Sequence, residues 1–447
     1  MSTPPTASTP PTASTPPTAS TPPTASTPPT ASTPPTASTR RAAALDAADP
    51  LARFREQFLP ARGVVAYLDG NSLGRPPAGT AERLDRFVRE EWAGRLIRGW
   101  TDEGPDGAWM GWPEQVGDRI AAAALGAAPG QTVLADSTTV LLYKLARAAV
   151  DAGVAAGRDE IVVDTDNFPT DRYVLEGIAA ERGATLRWIA TDPAAGVTPE
   201  QVAAVVGPRT ALVLASHVAY RSGWIADAMT ITALAHDAGA LVLWDLSHSV
   251  GSVELQLDVW GVDLAVGCTY KYLNGGPGSP AFGYVRSDRQ EGLRQPIQGW
   301  MGRRDPFEMG RGYTPAAGVR GIVSGTPPVL AAVPLLCGLD MLEEAGIAAV
   351  RAKSMALTAF TLDIVDERLA PLGVELVSPR DPARRGGHLT IRRSGSRDVL
   401  DELWARGVIP DFREPDDIRI GLAPLSTSFA EVDRGLAVLH DVLDARR

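Results

Sequence analysis

From about residue 118 the apolar positions of this chain alternate between two rhythms. Short apolar runs, rich in β-branched residues, read as strands: "QTVLAD", "EIVVD", "TLRWIA", "TALVLASHV", "ALVLWDLS" and "DLAVGCTY". Between most of them lie longer segments with helical spacing: "STTVLLYKLARAAVDAG", "TDRYVLEGIAAERG", "TPEQVAAVVG" and "ADAMTITALAHDAG". Such alternation predicts a mostly parallel sheet with crossover helices on both faces, an α/β fold. Ligands of these sheets sit beyond the carboxyl ends of the strands, which directs attention to the residues that follow each run.

The flanks have a different pattern. "RAAALDAADPLARFREQF" predicts an amphipathic helix interrupted at Pro50, and "VVAYLDGNSLGRPP" a short strand and a turn. After about 335 the order becomes helix, "VELVSP", "GHLTIRRS", helix and "DIRIGLA", which predicts a smaller α+β domain on an antiparallel sheet. The expected divisions are 41–95 as an N-terminal segment packing with the small domain, 96–335 as the large domain and 336–447 as the small one. Residues 2–37 are six copies of STPPTA, uncharged and proline-rich, and a disordered, polyproline-II-leaning tail is expected over 1–40.

Composition then removes several functions. The net charge of −10 and the scattered basic residues give no reason to expect nucleic acid. No apolar run approaches membrane-spanning length and no signal peptide is visible, so a cytoplasmic protein is expected. Cys268 and Cys337 lie in apolar segments and make no disulfide framework. No metal site is expected.

Lysine is the informative residue. Of 43 Lys and Arg residues only Lys144, Lys271 and Lys353 are lysines. Arginine can carry charge, but it cannot form a Schiff base or release its proton near neutral pH. Lys144 and Lys353 fall within helical periods, whereas Lys271 follows a strand in "GCTYKYLNGG". Upstream, "DSTT" places Ser137, Thr138 and Thr139 at a helix start suited to phosphate. "WDLSHSVG" ends a strand with Asp245 and His248. Taken singly, these features also fit an N-cap, a strand-end ion pair and a structural lysine. Together, in this order, they fit pyridoxal phosphate: phosphate at the helix start, a carboxylate on the ring nitrogen and an amine for the aldehyde.

The segments "YLDGNSLGRPP", "LIRGW", "DSTTVLLYKL", "NFPTDRY", "SHVAYRSG", "WDLSHSVG", "GCTYKYLNGGPG", "QPIQGWMGRRDPFEM", "SGTPPVL" and "DFREPDDIRIGLAPL" resemble the kynureninase family. They span about 67 to 425 in the family's order. The resemblance implies a fold-type I pyridoxal phosphate enzyme of the aminotransferase class V superfamily, with a large seven-stranded sheet. It implies hydrolysis of L-kynurenine, or its 3-hydroxy form, to an anthranilate and L-alanine, as in tryptophan catabolism and NAD biosynthesis. Lys271 would carry the cofactor covalently and Tyr270 would donate a proton. Phe168 would stack on the ring with Asp171 nearby, Asp245 would pair with the ring nitrogen, and His248 would lie close. Thr138, a neighbouring hydroxyl (Ser137 or Thr139) and Tyr270 would hold the phosphate. Trp300 and Thr326 would reach it from the second subunit of a homodimer. Arg419 would grip the substrate carboxylate, with Ser72 and Trp100 near the aromatic end.

The chain departs from the family pattern at Ala219 and Leu142, where Asn is usual, at Tyr143 for Phe and at Ser426 for Tyr. It also carries a longer segment, 100–115, with Trp109 and Trp112. Sequence drift and a changed substrate, such as a ring-modified kynurenine or another β-acyl amino acid, both account for these. A cysteine desulfurase or aminotransferase on the same fold is an alternative. So is a cofactor-binding regulator recruited through the STPPTA tail. Tyr270 and Lys271 are neighbours, and both can face the cofactor only if the chain twists at that strand end.

Overall fold

Strand residues 160–164 show how the large sheet is built. Ile161 and Val163 pack on one face with Leu145 and Ala148 of the helix Thr138–Ala155 and Leu175 and Ile178 of the helix Pro169–Arg182. Val162, between them, belongs to the core on the other face, which also takes in Ile231 of the helix Ala228–Asp237 and Leu335 and Leu339 of the helix Val329–Ala345. Side chains alternate across a strand, and a sheet covered by helices on both sides must be apolar on both, so these strands read as continuous apolar runs.

The computed structural model describes residues 36–447, and the STPPTA repeats up to residue 35 lie outside the described residues. A helix runs from Ala37 to Ala47, reaching back into the stretch expected as tail. Ser38 and Ala42 are buried, and the Thr39 hydroxyl donates to Asp433 at 2.8 Å on the C-terminal helix Phe429–Asp444. The strand β1 (Ala66–Tyr67) follows.

The large sheet contains β2 (Thr132–Ala135), β3 (Glu160–Asp164), β4 (Thr185–Ile189), β5 (Thr210–Ser216), β6 (Leu241–Asp245), β7 (Leu264–Gly267) and β8 (Ala281–Val285). Its order is β2-β8-β7-β6-β5-β3-β4. The pairs from β7 through β4 are parallel, and β8 is antiparallel to both β7 and β2. The sheet is thus the expected mostly parallel one, closed by an antiparallel strand that the apolar pattern did not reveal.

The C-terminal part contains β9 (Glu375–Leu376), β10 (His388–Arg392), β11 (Val408–Ile409), β12 (Asp411–Arg413) and β13 (Asp417–Gly421). Four of these form an antiparallel sheet in the order β12-β13-β10-β9, while β11 pairs in parallel with β1. The N-terminal segment is thereby stitched to the C-terminal part. The helices Ile347–Ile364, Ser396–Ala405 and Phe429–Asp444 bury Leu357, Phe360, Leu403 and Leu436 in a core shared with Leu68 and Ile420.

Candidate active site

A small cleft of about 130 Å³ opens where the parallel strands end. Thr138 and Thr139 follow β2, Phe168 and Asp171 follow β3, and Ser216 and Tyr220 lie at the end of β5 and just after it. Asp245 and His248 come from the end of β6, and Tyr270 and Lys271 from the chain beyond β7. Every wall comes from a carboxyl end, as the topology dictates.

β7 ends at Gly267, so Tyr270 and Lys271 lie in a bend rather than in the strand. The bend removes the strand's strict alternation, and both residues line the cleft. Lys271 is buried, and its Nζ lies 2.9 Å from His248 Nε2. Burial pushes the Lys271 ammonium below its ordinary range. The same cause pushes the Tyr270 phenol well up, which keeps its proton in place.

Asp245 is buried, and its Oδ1 accepts the Ser247 N–H at 2.8 Å. Asp171 is buried with Oδ2 unpartnered. Desolvation, then the neighbouring Asp245 and Asp164, raise its pKa well above the carboxylate range. The Phe168 ring lines the cleft and stands perpendicular to the Tyr220 ring, with centroids 5.4 Å apart. Ser137 is exposed and makes no side-chain cap, while Thr139 lines the cleft beside Thr138. Both hydroxyls left open by the sequence as Thr138's companion are exposed, and Thr139 rather than Ser137 borders the cleft.

Arg419 projects from β13 and is almost wholly buried. Its Nη1 donates to the Tyr220 carbonyl at 2.7 Å, and its Nη2 donates to Ser72 Oγ at 2.5 Å and lies 2.6 Å from Asp411. Burial, then Arg413, lower its pKa to about 10, so it remains a cation at neutral pH. Trp100 lies outside the cleft lining and packs edge-on against Trp109 at 5.4 Å. Trp300 and Thr326 are exposed and do not line the cleft. Leu142 is a fully buried core residue of the helix Thr138–Ala155 and does not line the cleft, so that departure alters packing rather than the cleft wall. Ala219 immediately precedes the cleft residue Tyr220. Ser426 is buried with an unpartnered hydroxyl.

Sequence reasoning missed Tyr220, Ser216, Asp411 and His388. The first two follow from the strand-end rule applied to β5. Asp411 and His388 become visible only when the C-terminal sheet docks.

The arrangement fits pyridoxal phosphate on its own terms. A buried amine of lowered pKa, an orphaned buried carboxyl and a hydroxyl-lined helix start converge on one cleft. Comparison with known proteins agrees. Kynureninase from Pseudomonas fluorescens is 40% identical over 407 residues, covering 90% of this chain and 95% of the relative. The chain belongs to the kynureninase family.

Kynureninase from Burkholderia pseudomallei (strain 1106a) is 41% identical over the same length and coverage. The family described as Kynureninase C-terminal domain matches residues 350–439. Among solved structures, the apo cysteine desulfurase from Thermococcus onnurineus NA1 superposes with a TM-score of 0.74 at 19% identity, covering 88% of this chain and 98% of that one. A C-DES mutant with glycine covalently linked to its PLP cofactor gives 0.71 at 18%, covering 86% and 100%. These two likenesses speak for the fold, fold-type I. As a kynureninase-family member the chain is a pyridoxal-phosphate-dependent hydrolase of carbon–carbon bonds. A desulfurase's mobile nucleophilic cysteine has no counterpart in Cys268, which is buried, with burial raising its thiol pKa. Cys337 is half-buried within the helix Val329–Ala345.

Proposed function

We propose that the chain cleaves the Cβ–Cγ bond of L-kynurenine, or of its 3-hydroxy or otherwise ring-modified form, consuming water and releasing an anthranilate and L-alanine. The observation that carries this reading is the buried Lys271 amine facing a cleft that also presents Asp245, Phe168, Thr138 and Tyr270. Bound pyridoxal phosphate supplies an aldehyde for the substrate amine and a conjugated ring that takes up the electron pair released at Cα. Thr138, Thr139 and Tyr270 hold the phosphate, Phe168 covers the ring face, and Asp245 keeps the ring nitrogen protonated, with Asp171 and His248 beside it.

Lys271 receives the Cα proton, a task for which an amine of lowered pKa is suited near neutral pH. Water adds to the γ-carbonyl, the Cβ–Cγ bond breaks, and Tyr270 gives its retained proton to Cβ. Arg419 orients the substrate carboxylate, which takes the place of Asp411 or Ser72 on Nη2. Ser72, bonded to this arginine, and Trp100 are assigned to the aromatic end of the substrate.

Trp300 and Thr326 are exposed in a single chain, which supports their service to a partner copy's phosphate in a homodimer. A cytoplasmic role in tryptophan catabolism or NAD biosynthesis fits this chemistry. A second reading keeps the cofactor and changes the substrate to another β-acyl amino acid. The Ser426 hydroxyl, unpartnered inside the protein, favours it.

The test is purified protein with L-kynurenine and 3-hydroxykynurenine, followed by absorbance and anthranilate fluorescence. Anthranilate plus alanine, with kcat/KM on the order of 10⁴ M⁻¹s⁻¹ or more, supports the first reading. A shifted cofactor spectrum without product moves the substrate to the second.

A further inference from the structure

The strand pair β12–β13 gives Arg419 an acid of its own. Asp411 of β12 is the direct cross-strand partner of Arg419, and Arg413 follows Asp411 two residues along the same strand. Directly opposed residues share a face, as do residues two apart, so the three side chains project together. Asp411 Oδ2 lies 2.6 Å from Arg419 Nη2 and 2.7 Å from Arg413 Nη2. One carboxylate oxygen is therefore shared by two guanidiniums. Both contacts are ionic, since Oδ2 makes no hydrogen bond, whereas Oδ1 accepts the Phe412 N–H at 2.8 Å. The two cations differ in setting: the Arg419 side chain is 1% exposed and that of Arg413 30%, with Asp411 between them at 22%.

Both terminal nitrogens of Arg419 are committed, Nη1 to the Tyr220 carbonyl and Nη2 to Ser72 Oγ and Asp411. An incoming carboxylate must replace one of these partners. Ser72 is neutral, and its hydroxyl can turn to donate to a carboxylate beside it. Asp411 has no such option, because two carboxylates on one nitrogen repel each other, the more so in a buried site. Arg413 already touches Oδ2, so Asp411 keeps a cation when it gives up Arg419. The other acid near Nη2 is Asp69, whose Oδ1 stands farther off at 3.8 Å.

We propose that Asp411 is a positioning residue that stands in for the substrate carboxylate on Arg419 and passes to Arg413 when that carboxylate arrives, an exchange that rests on the reading of Arg419 as the carboxylate grip. The buried guanidinium is thereby neutralised at every stage, as a cation so far from water requires. The exchange favours a ligand whose carboxylate makes the hydrogen bonds to Arg419 that Asp411 lacks. A ligand without a carboxylate has nothing with which to displace Asp411, so the pair selects free α-amino acids over their amides.

The test uses the full chain loaded with pyridoxal phosphate. Dissociation constants of L-alanine and L-alaninamide are read from the cofactor absorbance, and their ratio isolates the carboxylate. Asp411→Asn keeps an oxygen for the Phe412 N–H and removes the competing charge. It should tighten L-alanine relative to the amide at least about fivefold, the factor that two like charges in contact reach even at the dielectric of water. Arg413→Met leaves Asp411 only Arg419 and should weaken L-alanine severalfold relative to the amide, while Arg413→Lys should return the ratio to near the wild-type value. Arg413 also lies over the Tyr220 ring at 5.6 Å, an effect on the cleft that the ratio cancels. A merely structural pair would shift both variants the same way, so opposite signs are the signature. Weaker alanine binding in Asp411→Asn, or equal changes for alanine and its amide, overturns the exchange. Should Asp411→Asn fail to fold, Arg413→Met against Arg413→Lys decides, and equal ratios overturn it. Arg419→Met separates the two readings. If that variant loses the preference for alanine over its amide, the grip stands and the other variants judge Asp411. An unchanged preference removes the grip and the exchange together.

Discussion

The Lys144 ammonium, wholly buried, lies 2.5 Å from Asp136 Oδ2 and 2.9 Å from the Ile322 carbonyl oxygen. Asp136 has φ +47°, a left-handed conformation that Asp tolerates better than most residues, and it immediately precedes the helix start that carries Thr138 and Thr139. The lysine therefore clamps the turn that aims the hydroxyls, and it ties that turn to the segment leading to Thr326. Lys144 shapes the turn before the proposed phosphate site without lining the cleft itself.

Replacing Lys144 by Met should cost about 2–4 kcal/mol, since Asp136 loses its charge partner while remaining three-quarters buried. The same variant should retain less pyridoxal phosphate after dialysis. Adding Asp136→Asn should recover part of the stability, because the uncompensated charge is gone. Chemical denaturation and cofactor content of the two variants check this, and equal stability of both would remove the clamp.

Gly74 of "NSLGRPP" meets the lysine loop backbone to backbone: its N–H donates to the Tyr270 carbonyl at 2.8 Å. A Cβ there would stand 2.3 Å from the Lys271 carbonyl oxygen and 2.4 Å from Asn274 Oδ1. Gly74→Ala should destabilise by about 1–3 kcal/mol through overpacking and shift the Lys271 bend. The expected result is a lower kcat and a slower cofactor capture, with the fold retained by circular dichroism. Unaltered kinetics would show that the bend absorbs the methyl.

The strand-end motifs could be read in the sequence because each is local. A strand, its terminal carboxylate or amine and the next helix start fit within a dozen residues, and topology then brings them together. The antiparallel strand Ala281–Val285 was hidden by Gly283 in its middle and by the glycine- and proline-rich turn just before it. Asp411–Arg413 was hidden by its charge, since its pairing relies on β13 rather than on an apolar face. His388 carries no local signal at all. Its burial is complete only once β10 docks against the loop after β5, and that is a property of tertiary packing alone.

Asp164, the last residue of β3, has its pKa raised to about 7, first by burial and then by Asp166. In the unfolded chain it titrates near 3.9. Between these values the folded state holds more protons than the unfolded one, so stability falls as pH rises from about 4 to about 7 and then levels off. Asp164→Asn keeps an oxygen for the Asp166 N–H and removes the titration. The variant should match the wild type near pH 4 and exceed it in stability at pH 8. Urea unfolding at the two pH values checks the sign, and a variant weaker at pH 8 would show that the carboxylate finds compensation on ionising.

The longer segment 100–115 brings its own tryptophan into contact with Trp100. Trp109 is buried between Phe87, at 5.7 Å, and the edge of Trp100, and it lies so close to Gly99 that a Cβ there would stand 2.5 Å from its ring. Trp112 anchors the same segment by a hydrogen bond to the Asp106 carbonyl at 2.8 Å but makes no ring contact with Trp100. If Trp100 approaches the aromatic end of the substrate, Trp109 sets its angle. Trp109→Ala should cost about 3–5 kcal/mol and raise KM severalfold with little change in kcat. Trp112→Phe should lower stability without moving KM, because the anchor weakens while the contact with Trp100 survives. Thermal unfolding together with steady-state kinetics on kynurenine separates the two roles. Equal KM values in both variants would mean that Trp109 only fills the core, and that the added segment is a structural device rather than one that shapes the substrate's aromatic site.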